Sequence, residues 1–221
     1  MAAEIDIDGP ALAPASGNAP QALVILLHGV GADGNDLIGL AHDWAPLLPD
    51  VAFLSPHAPF SYDMAPVGRQ WFSLQERTAA AILAGLQTAT PILNRYIDRQ
   101  LADHGLGDNR LALVGFSQGT MMALFAAPQR PRTCAAVVGY SGALFASRPL
   151  EEAPSKPPVL LVHGDADEVV PVQATITAGS ALAAAGFDVQ SEIRPGLPHG
   201  IDPAGLRLGG EFLIRHLRRP H

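Results

Sequence analysis

Short apolar runs alternate along the chain with longer stretches in which apolar and polar positions follow a helical spacing. The apolar runs cover residues 22–27, 51–54, 111–115, 135–140, 159–162 and 189–193. Nearly all are rich in Val, Ile and Leu with little alternation, which is typical of strands covered on both faces. The pattern predicts an α/β fold with a mainly parallel central sheet flanked by helices. Ile5 and Ile7, which alternate with acidic residues, are expected to form an antiparallel edge strand.

The stretches between these runs predict five helical regions, near residues 36–48, 76–104, 118–127, 172–185 and 204–218. Asp202 and Pro203 mark the start of the last helix as its N-cap and its first helical residue. Thr90 followed by Pro91 resembles another helix start. It predicts that the second region divides into a short helix and a longer one that ends at Gly105.

The length of 221 residues suits one domain, so residues 1–221 are expected to form a single α/β unit without a large lid domain. The single cysteine, Cys134, excludes an intramolecular disulfide. Its apolar neighbours predict a buried and unreactive thiol.

Charge and hydropathy narrow the partners that the chain can have. A net charge of −7 argues against nucleic acid and against an anionic membrane surface. No apolar run is long enough to cross a bilayer, and the first residues lack the basic and apolar segments of a signal peptide. We therefore expect a cytoplasmic chain without stable membrane insertion.

The strongest chemical signal is the motif G-x-S-x-G, which runs from Gly115 to Gly119 between a predicted strand and a predicted helix. A serine on a sharp strand-to-helix turn needs small neighbours, because the strand and the helix approach closely there. Ser117 would then project beyond the carboxyl end of the sheet as a nucleophile. The pentapeptide alone is common, and the alternative is an ordinary glycine-rich turn that contains a serine.

A serine hydroxyl needs a histidine to take its proton and a carboxylate to orient that histidine. In this fold class the order along the chain is serine, acid, histidine. His199, His216 and His221 follow a plausible acid. His216 lies in a predicted helix and His221 is the last residue, whereas His199 lies in the loop between the last strand and the last helix. His199 is therefore the predicted base.

The acid is expected just after the strand that precedes this loop, where three carboxylates follow one another: Asp165, Asp167 and Glu168. Asp165 follows Gly164 directly and is expected to cap the turn through nearby backbone amides. Asp167 lies farther along the loop and is favoured over Asp165. His163 shares the segment, and its position at the strand end favours a structural hydrogen bond.

Acyl transfer also needs hydrogen-bond donors aimed at the oxyanion of the tetrahedral intermediate. One is expected to be the backbone N–H of Gln118, the residue after the nucleophile. The other is expected from the glycine-rich loop after the first strand, where Val30 is the predicted donor. His28 is expected to brace this loop.

Six sequence blocks, taken in order, resemble the phospholipase/carboxylesterase family of small α/β-hydrolases, which includes acyl-protein thioesterases and bacterial carboxylesterases. The resemblance runs from about residue 22 to residue 215. The blocks lie at residues 27–33, 56–59, 71–72, 115–119, 163–171 and 199.

This resemblance implies that Ser117, Asp167 and His199 form a catalytic triad and that Val30 and Gln118 supply the oxyanion amides. It implies hydrolysis of short-to-medium acyl esters, with thioesters or lysophospholipids in some members. It implies neither a metal nor a cofactor, and it leaves both a monomer and a homodimer open.

The chain departs from the family pattern at a few positions. Val30 stands where leucine is common, and Pro198 stands where a small or flexible residue is usual. Thr120 and Met121 make the first turn of the helix after the serine bulkier than the small residues often found there.

An apolar group of side chains is the candidate substrate pocket, although each member is equally consistent with ordinary core. The group consists of Phe60, Met64, Trp71, Phe72, Leu74 and Leu144. The absence of an interfacial helix favours small-molecule acyl substrates over aggregated lipid. Two competing interpretations are a lactonase or peptidase on the same scaffold, and a non-catalytic receptor that retains the hydrolase fold.

Overall fold

The structure, a computed structural model, describes residues 5–218, and its central element is a seven-stranded sheet with the order β1-β3-β2-β6-β7-β8-β9. All neighbouring strands pair in parallel except β1 and β3, which are antiparallel. The remaining two strands, β4 and β5, form a separate hairpin. The strands are β1 (Ala11–Leu12), β2 (Ala22–Leu27), β3 (Val51–Leu54), β4 (Phe60–Ser61), β5 (Arg69–Gln70), β6 (Leu111–Phe116), β7 (Ala136–Tyr140), β8 (Val159–Gly164) and β9 (Val189–Arg194).

The six strands predicted from apolar runs are all present, each within two residues of its predicted ends. The inner strands are buried because helices cover both faces of the sheet. The edge strand β9 contains only half-buried and exposed residues, and its sequence is correspondingly more polar. The predicted α/β fold with a mainly parallel sheet is therefore confirmed.

The helices divide between the two faces of the sheet. One apolar cluster joins α3, α4 and α5 to one face, and a second joins α1, α2 and α6 to the other. Trp44 of α2 and Phe212 of α6 are buried in the second cluster. The helices are α1 (Gly34–Leu37), α2 (Leu40–Trp44), α3 (Ala79–Asp103), α4 (Gln118–Ala126), α5 (Gln173–Ala184) and α6 (Pro203–Leu217).

The prediction of an edge strand at Ile5 and Ile7 is wrong. The antiparallel edge strand is β1, and neither isoleucine belongs to a strand. Ile7 packs into the core, whereas Ile5 is exposed. The alternation therefore reflects the burial of one isoleucine beside Arg99, which donates to the carbonyl oxygen of Ile7 at 2.9 Å.

The single helix predicted near residues 36–48 is instead two short helices, α1 and α2. The N–H of Ala41 donates to Ile38 and the N–H of His42 donates to Gly39, so these bonds span three residues rather than four. The helical ladder is thus interrupted around Gly39. Pro46 has no N–H with which to continue α2.

The predicted break at Thr90 and Pro91 is also wrong, because α3 runs unbroken through Pro91 and is 25 residues long in all. Leu86 and Leu93, which lie before and after the proline, are both fully buried in the same cluster. Packing on both sides therefore holds the helix together despite the backbone bond that proline cannot make. The Thr90 hydroxyl donates to the carbonyl oxygen of Leu86 at 2.7 Å.

The predicted end of α3 at Gly105 agrees with the structure. Gly105 has a φ of +65°, in the left-handed region. The N–H of Leu106 donates to Leu101 at 2.9 Å and that of Gly105 donates to Ala102 at 3.1 Å. This pair of bonds is the Schellman motif, which satisfies the last carbonyls of a helix.

Replacing Pro91 with alanine is expected to stabilise the protein by about 1–3 kcal/mol, because it restores a donor for the carbonyl of Gln87 in an unbroken helix. Urea unfolding followed by circular dichroism measures the change. Gln87→Ala, an exposed substitution in the same turn, is the control and is expected to stay within about 0.5 kcal/mol of wild type. A Pro91→Ala protein that is less stable than wild type would contradict the expectation that the missing backbone donor weakens α3.

Candidate active site

Ser117 occupies a strained turn between β6 and α4. Its φ of 54° and ψ of −114° lie outside the regions that L-residues normally adopt. Such a conformation costs about 1–3 kcal/mol and persists only where the surroundings enforce it. Here the N–H of Ser117 donates to the carbonyl oxygen of Tyr140, at the end of β7, at 2.9 Å.

Gly115 and Gly119 permit the close approach that this turn requires. A Cβ atom on Gly119 would lie 1.8 Å from the carbonyl oxygen of Leu27, the last residue of β2. A Cβ atom on Gly115 would lie 2.4 Å from the backbone of Gly119. Since no side chain fits at either position, the first turn of α4 can rest directly on the ends of the strands.

Thr120 supports the turn through contacts with the strands beneath α4, β6 and β7, and the sequence did not predict this role. Its hydroxyl lies 2.7 Å from the carbonyl oxygen of Gly115 and 2.8 Å from that of Tyr140. The side chain fits because β7 has Gly139 there, where a Cβ atom would lie 2.6 Å from the methyl group of Thr120. The hydroxyl thereby ties α4 to both β6 and β7. No spacing in the sequence signals this bond.

Asp167 and His199 meet at the carboxyl end of the sheet. The imidazole Nδ1 of His199 lies 2.7 Å from Oδ2 of Asp167. The His199 ring also packs against the Phe116 ring, with 4.9 Å between their centroids. Because Phe116 immediately precedes Ser117, this contact brings the imidazole beside the strained turn.

The carboxylate of Asp167 is buried but well supplied with donors. Its Oδ1 accepts hydrogen bonds from the backbone N–H groups of Val169 and Val170, each at 2.8 Å. Burial by itself raises the pKa of this carboxyl, but the hydrogen bonds from His199, Val170 and Val169 outweigh burial and lower the pKa below its ordinary value of 3.8. Asp167 is therefore ionised at neutral pH.

Asp165 does not cap its own turn as expected, because it reaches across to the histidine loop. Its Oδ1 accepts from the N–H of Gly196 at 2.6 Å. The N–H of Ala166 donates to the carbonyl oxygen of Leu197 at 3.1 Å. The loop that carries Asp167 is thus bonded to the loop that carries His199, and Asp165 joins the two loops while Asp167 contacts the imidazole.

His28 braces the loop after β2, as its sequence position predicts. Its Nε2 accepts from the N–H of Ala58 at 3.0 Å, so Nδ1 carries the hydrogen and donates to the carbonyl oxygen of Gly29 at 2.8 Å. Burial lowers the pKa of His28, which keeps the ring neutral. A Cβ atom on Gly29 would lie 3.4 Å from Cβ of Ser117, so this loop touches the serine.

Gln118 is the first residue of α4, and its side chain is held at both ends. Its Oε1 accepts from the N–H of Trp71, and its Nε2 donates to the carbonyl oxygen of Phe72, each at 2.8 Å. The first N–H groups of a helix have no partner within the helix. The amide predicted to bind the oxyanion therefore belongs to a residue whose side chain is fixed. The pairing of Gln118 and Val30 as oxyanion donors stays a prediction.

The structure separates the predicted pocket residues into three groups. Trp71 and Phe72 are buried in the core, where the indole N–H of Trp71 donates to the carbonyl oxygen of His28 at 3.0 Å. Their side chains therefore present no surface to a ligand, and including them in the pocket needs correction. Met64 is exposed. The half-buried residues packed against the core are Phe60, Leu74 and Leu144.

Several other sequence expectations concern groups outside this site. Burial raises the pKa of Cys134 to about 12, so its thiol is not an activated nucleophile. His216 packs against the Phe212 ring within α6. His221 lies outside the described residues.

The described residues offer neither a metal site nor a membrane span. Across residues 5–218, no group of three or more His, Cys, Asp or Glu side chains is arranged to hold a metal ion. None of the helices between these limits combines the length and apolar character needed to span a membrane.

Known proteins resemble this chain over most of its length. The family profile described as phospholipase/carboxylesterase matches residues 12–217. Esterase YpfH of Escherichia coli (strain K12) is 34% identical over 199 residues, which is 90% of this chain and 82% of the relative. Acyl-protein thioesterase 1 of Emericella nidulans is 30% identical over 216 residues, which is 88% of this chain and 90% of the relative. The crystal structure of esterase PE8 superposes with a TM-score of 0.91 at 42% identity, covering 96% of this chain and 100% of that one.

Asp167→Asn is expected to destabilise the protein by about 1–3 kcal/mol at pH 7, since it replaces a charged acceptor of several hydrogen bonds. A carboxyl with a lowered pKa contributes its full stability above its ordinary value of 3.8 and loses that stability as pH falls through the lower folded value. The difference in free energy of unfolding between wild type and variant should therefore be constant above about pH 5 and become smaller below about pH 4.

Urea unfolding at a series of pH values measures this gap. Glu168→Gln, an exposed position on the same loop, is the matched control and is expected to stay within about 0.5 kcal/mol of wild type at pH 7. A gap that widens on acidification would contradict the assigned direction of the Asp167 pKa.

Proposed function

Because this chain belongs to the phospholipase/carboxylesterase family, we propose that it hydrolyses short-to-medium acyl esters through an acyl-enzyme on Ser117. Family membership supports carboxylesterase or thioesterase activity. The observation that carries the finer proposal is the 2.7 Å contact between His199 and Asp167, beside the strained turn of Ser117.

In the first half of the proposed reaction, Ser117 Oγ attacks the carbonyl carbon of the ester. Its proton passes to Nε2 of His199, because Nδ1 is engaged by Asp167. The tetrahedral intermediate collapses when His199 returns this proton to the leaving alcohol or thiol. The acyl group then remains as an ester on Ser117.

In the second half, a water molecule gives a proton to His199 and attacks the acyl-enzyme. Collapse of the second intermediate releases the carboxylic acid and returns the proton to Ser117. Asp167 stays ionised throughout and stabilises the positive charge that His199 acquires twice in each cycle. The lowered pKa of Asp167 supports this role, since the group does not compete for the proton.

The oxyanion of both intermediates is proposed to bind the amides of Val30 and Gln118. Donors for an oxyanion act best when they are already fixed in place before the reaction. The two hydrogen bonds on the Gln118 side chain and the internal bonds of the His28 loop support such a fixed arrangement.

The acyl chain is proposed to lie in an apolar groove of about 580 Å³ between the loop after β7 and α5. A Cβ atom on Gly142 would lie 3.0 Å from the carbonyl oxygen of Ser117, and the next two residues form one rim of the groove. None of the described residues that line it carries a charge. The lining residues are Ala143, Leu144, Ala146, Leu150, Pro171, Gln173, Ala174, Thr177, Ala178 and Ala181.

Of the remaining predicted pocket residues, Phe60, Met64 and Leu74 are proposed to face the other end of the substrate. Thioesters form the second candidate substrate class, because the relative from Emericella nidulans is named an acyl-protein thioesterase. Esters and thioesters share the acyl half of the substrate, so the same groove serves both.

Ser117→Ala is expected to abolish the acyl-enzyme burst with p-nitrophenyl acetate and to lower kcat by about 10⁴-fold or more. Labelling by a fluorophosphonate probe should be lost at the same time. Ser141→Ala is the matched control for labelling, because Ser141 is the other non-glycine residue of positive φ within residues 5–218. Its labelling should persist. Normal turnover by the Ser117 variant would refute the proposal, and an unlabelled wild type would favour the receptor.

Ala174→Leu is expected to fill part of the groove and to shorten the preferred acyl chain. The ratio of kcat/KM for p-nitrophenyl octanoate to that for p-nitrophenyl acetate should fall about tenfold, since excluded methylene groups are worth about 1–3 kcal/mol in an apolar pocket. Ala183→Leu, an exposed position on the same helix, is the control and should leave this ratio unchanged. An unchanged ratio in both variants would place the acyl chain elsewhere.

A further inference from the structure

His163, at the end of β8, is a buried imidazole that the proposed reaction does not use. Its side chain has no exposed surface. Its Nε2 lies 2.8 Å from the carbonyl oxygen of Val170 and 3.1 Å from Oδ2 of Asp167. On the other side of the ring, Nδ1 lies 2.7 Å from Oγ1 of Thr175 in α5.

These partners determine which ring nitrogen of His163 carries the hydrogen. A carbonyl oxygen can only accept, so Nε2 carries the hydrogen and donates it to Val170, while the ionised Oδ2 of Asp167 lies 3.1 Å from the same nitrogen as an ion-pair contact. In the neutral ring Nδ1 is then an acceptor, and the Thr175 hydroxyl donates to it. A directed chain of hydrogen bonds therefore runs from Thr175 through His163 to the carbonyl oxygen of Val170, and Nε2 of His163 lies 3.1 Å from the Asp167 oxygen that accepts from His199.

We infer that His163 is a positioning residue for the proposed triad, holding the carboxylate of Asp167 in the orientation in which it accepts from His199. This inference rests on the proposed function. It adds a second histidine and a threonine, Thr175, to the groups that the hydrolysis needs.

The geometry of Asp167 explains why this extra contact matters. Two backbone N–H groups fix Oδ1, while Oδ2 accepts from His199 and lies 3.1 Å from Nε2 of His163. Without His163, Oδ2 would be held by His199 alone. His199 must be free to exchange its proton at the far nitrogen, so it is a poor anchor for its own partner.

Val170 connects the Asp167 carboxylate to the His163 ring. Its N–H donates to Oδ1 of Asp167, and its carbonyl oxygen accepts from His163. The backbone of the loop that carries Asp167 and the His163 ring therefore fix each other's position. Through Thr175, which is buried in the first turn of α5, the same chain fixes the loop to a helix of the core.

An N–H group suits this position chemically. It orients the carboxylate while leaving the negative charge that balances the imidazolium of His199. Such an interaction matters most when His199 is charged, so its loss should lower kcat and leave KM nearly unchanged.

Two substitutions at His163 separate this role from packing. The side-chain nitrogen of glutamine can take the place of Nε2, so His163→Gln retains an N–H donor to Val170 beside Asp167. Asparagine reaches only as far as Nδ1, so His163→Asn retains a partner for Thr175 and loses the donor. We expect His163→Asn to lower kcat by about 10–100-fold with KM within threefold of wild type, and His163→Gln to keep kcat within fivefold.

Thr175 provides an independent pair of variants in case His163→Asn does not fold. Thr175→Val preserves the shape of the side chain and removes only the donor to Nδ1, so kcat should fall severalfold without a change in KM. Thr175→Ser keeps the hydroxyl and should restore kcat to within twofold of wild type. Urea unfolding of all four variants shows whether the loss of kcat follows the donor rather than stability.

Wild type and Ser117→Ala are assayed alongside with p-nitrophenyl acetate. If wild type turns over and Ser117→Ala does not, then wild-type kcat in His163→Asn, or equal losses in His163→Asn and His163→Gln, would overturn the positioning role alone. Equal turnover by wild type and Ser117→Ala would instead refute the proposed function. A kcat loss confined to His163→Asn and Thr175→Val supports the inference.

Discussion

The backbone of Gly119 lies against the carbonyl of Leu27 so closely that no side chain fits between them, and the arrangement of the site depends on this contact. It places the first turn of α4 directly on the end of β2, beside the glycine-rich loop that follows that strand. The serine turn, the His28 loop and the amide of Gln118 therefore occupy one small region. A side chain at position 119 would push α4 away from the sheet and separate these groups.

The strain of Ser117 is tolerable because polar contacts on three sides fix its neighbours. Its own N–H and the hydroxyl of Thr120 both bond to the carbonyl oxygen of Tyr140 in β7, the same hydroxyl lies 2.7 Å from the carbonyl oxygen of Gly115 in β6, and the side-chain amide of Gln118 is bonded to the segment before α3. About 1–3 kcal/mol of backbone strain is small against several such buried bonds and the packing of a buried helix. The conformation of Ser117 is thus a product of the surrounding strands rather than of the pentapeptide alone.

Much of this arrangement could be predicted from the sequence, because apolar runs and glycine positions are local signals. The six main strands and the contact between His199 and Asp167 are examples. The course of α3 through Pro91 could not be predicted, since packing at Leu86 and Leu93 overrides a local helix-breaking preference. Thr120, Asp165 and Thr175 were also inaccessible, because each bonds to a segment that is distant or unmarked in the sequence. The burial of Trp71 was missed for a related reason: aromatic residues in a loop have no period from which to judge their direction.

The hydrogen bonds between the loop that carries Asp167 and the loop that carries His199 have a consequence for how the site could evolve. Asp165 with Gly196, Ala166 with Leu197, and Asp167 with His199 form three successive rungs between segments that are separate in sequence. An insertion or deletion in either loop would shift every rung at once, whereas a change elsewhere on the surface would leave the spacing intact. The lengths of these two loops are therefore constrained, whereas the loop after β7 and the hairpin of β4 and β5, which carry the proposed substrate contacts, can vary in length without disturbing the rungs.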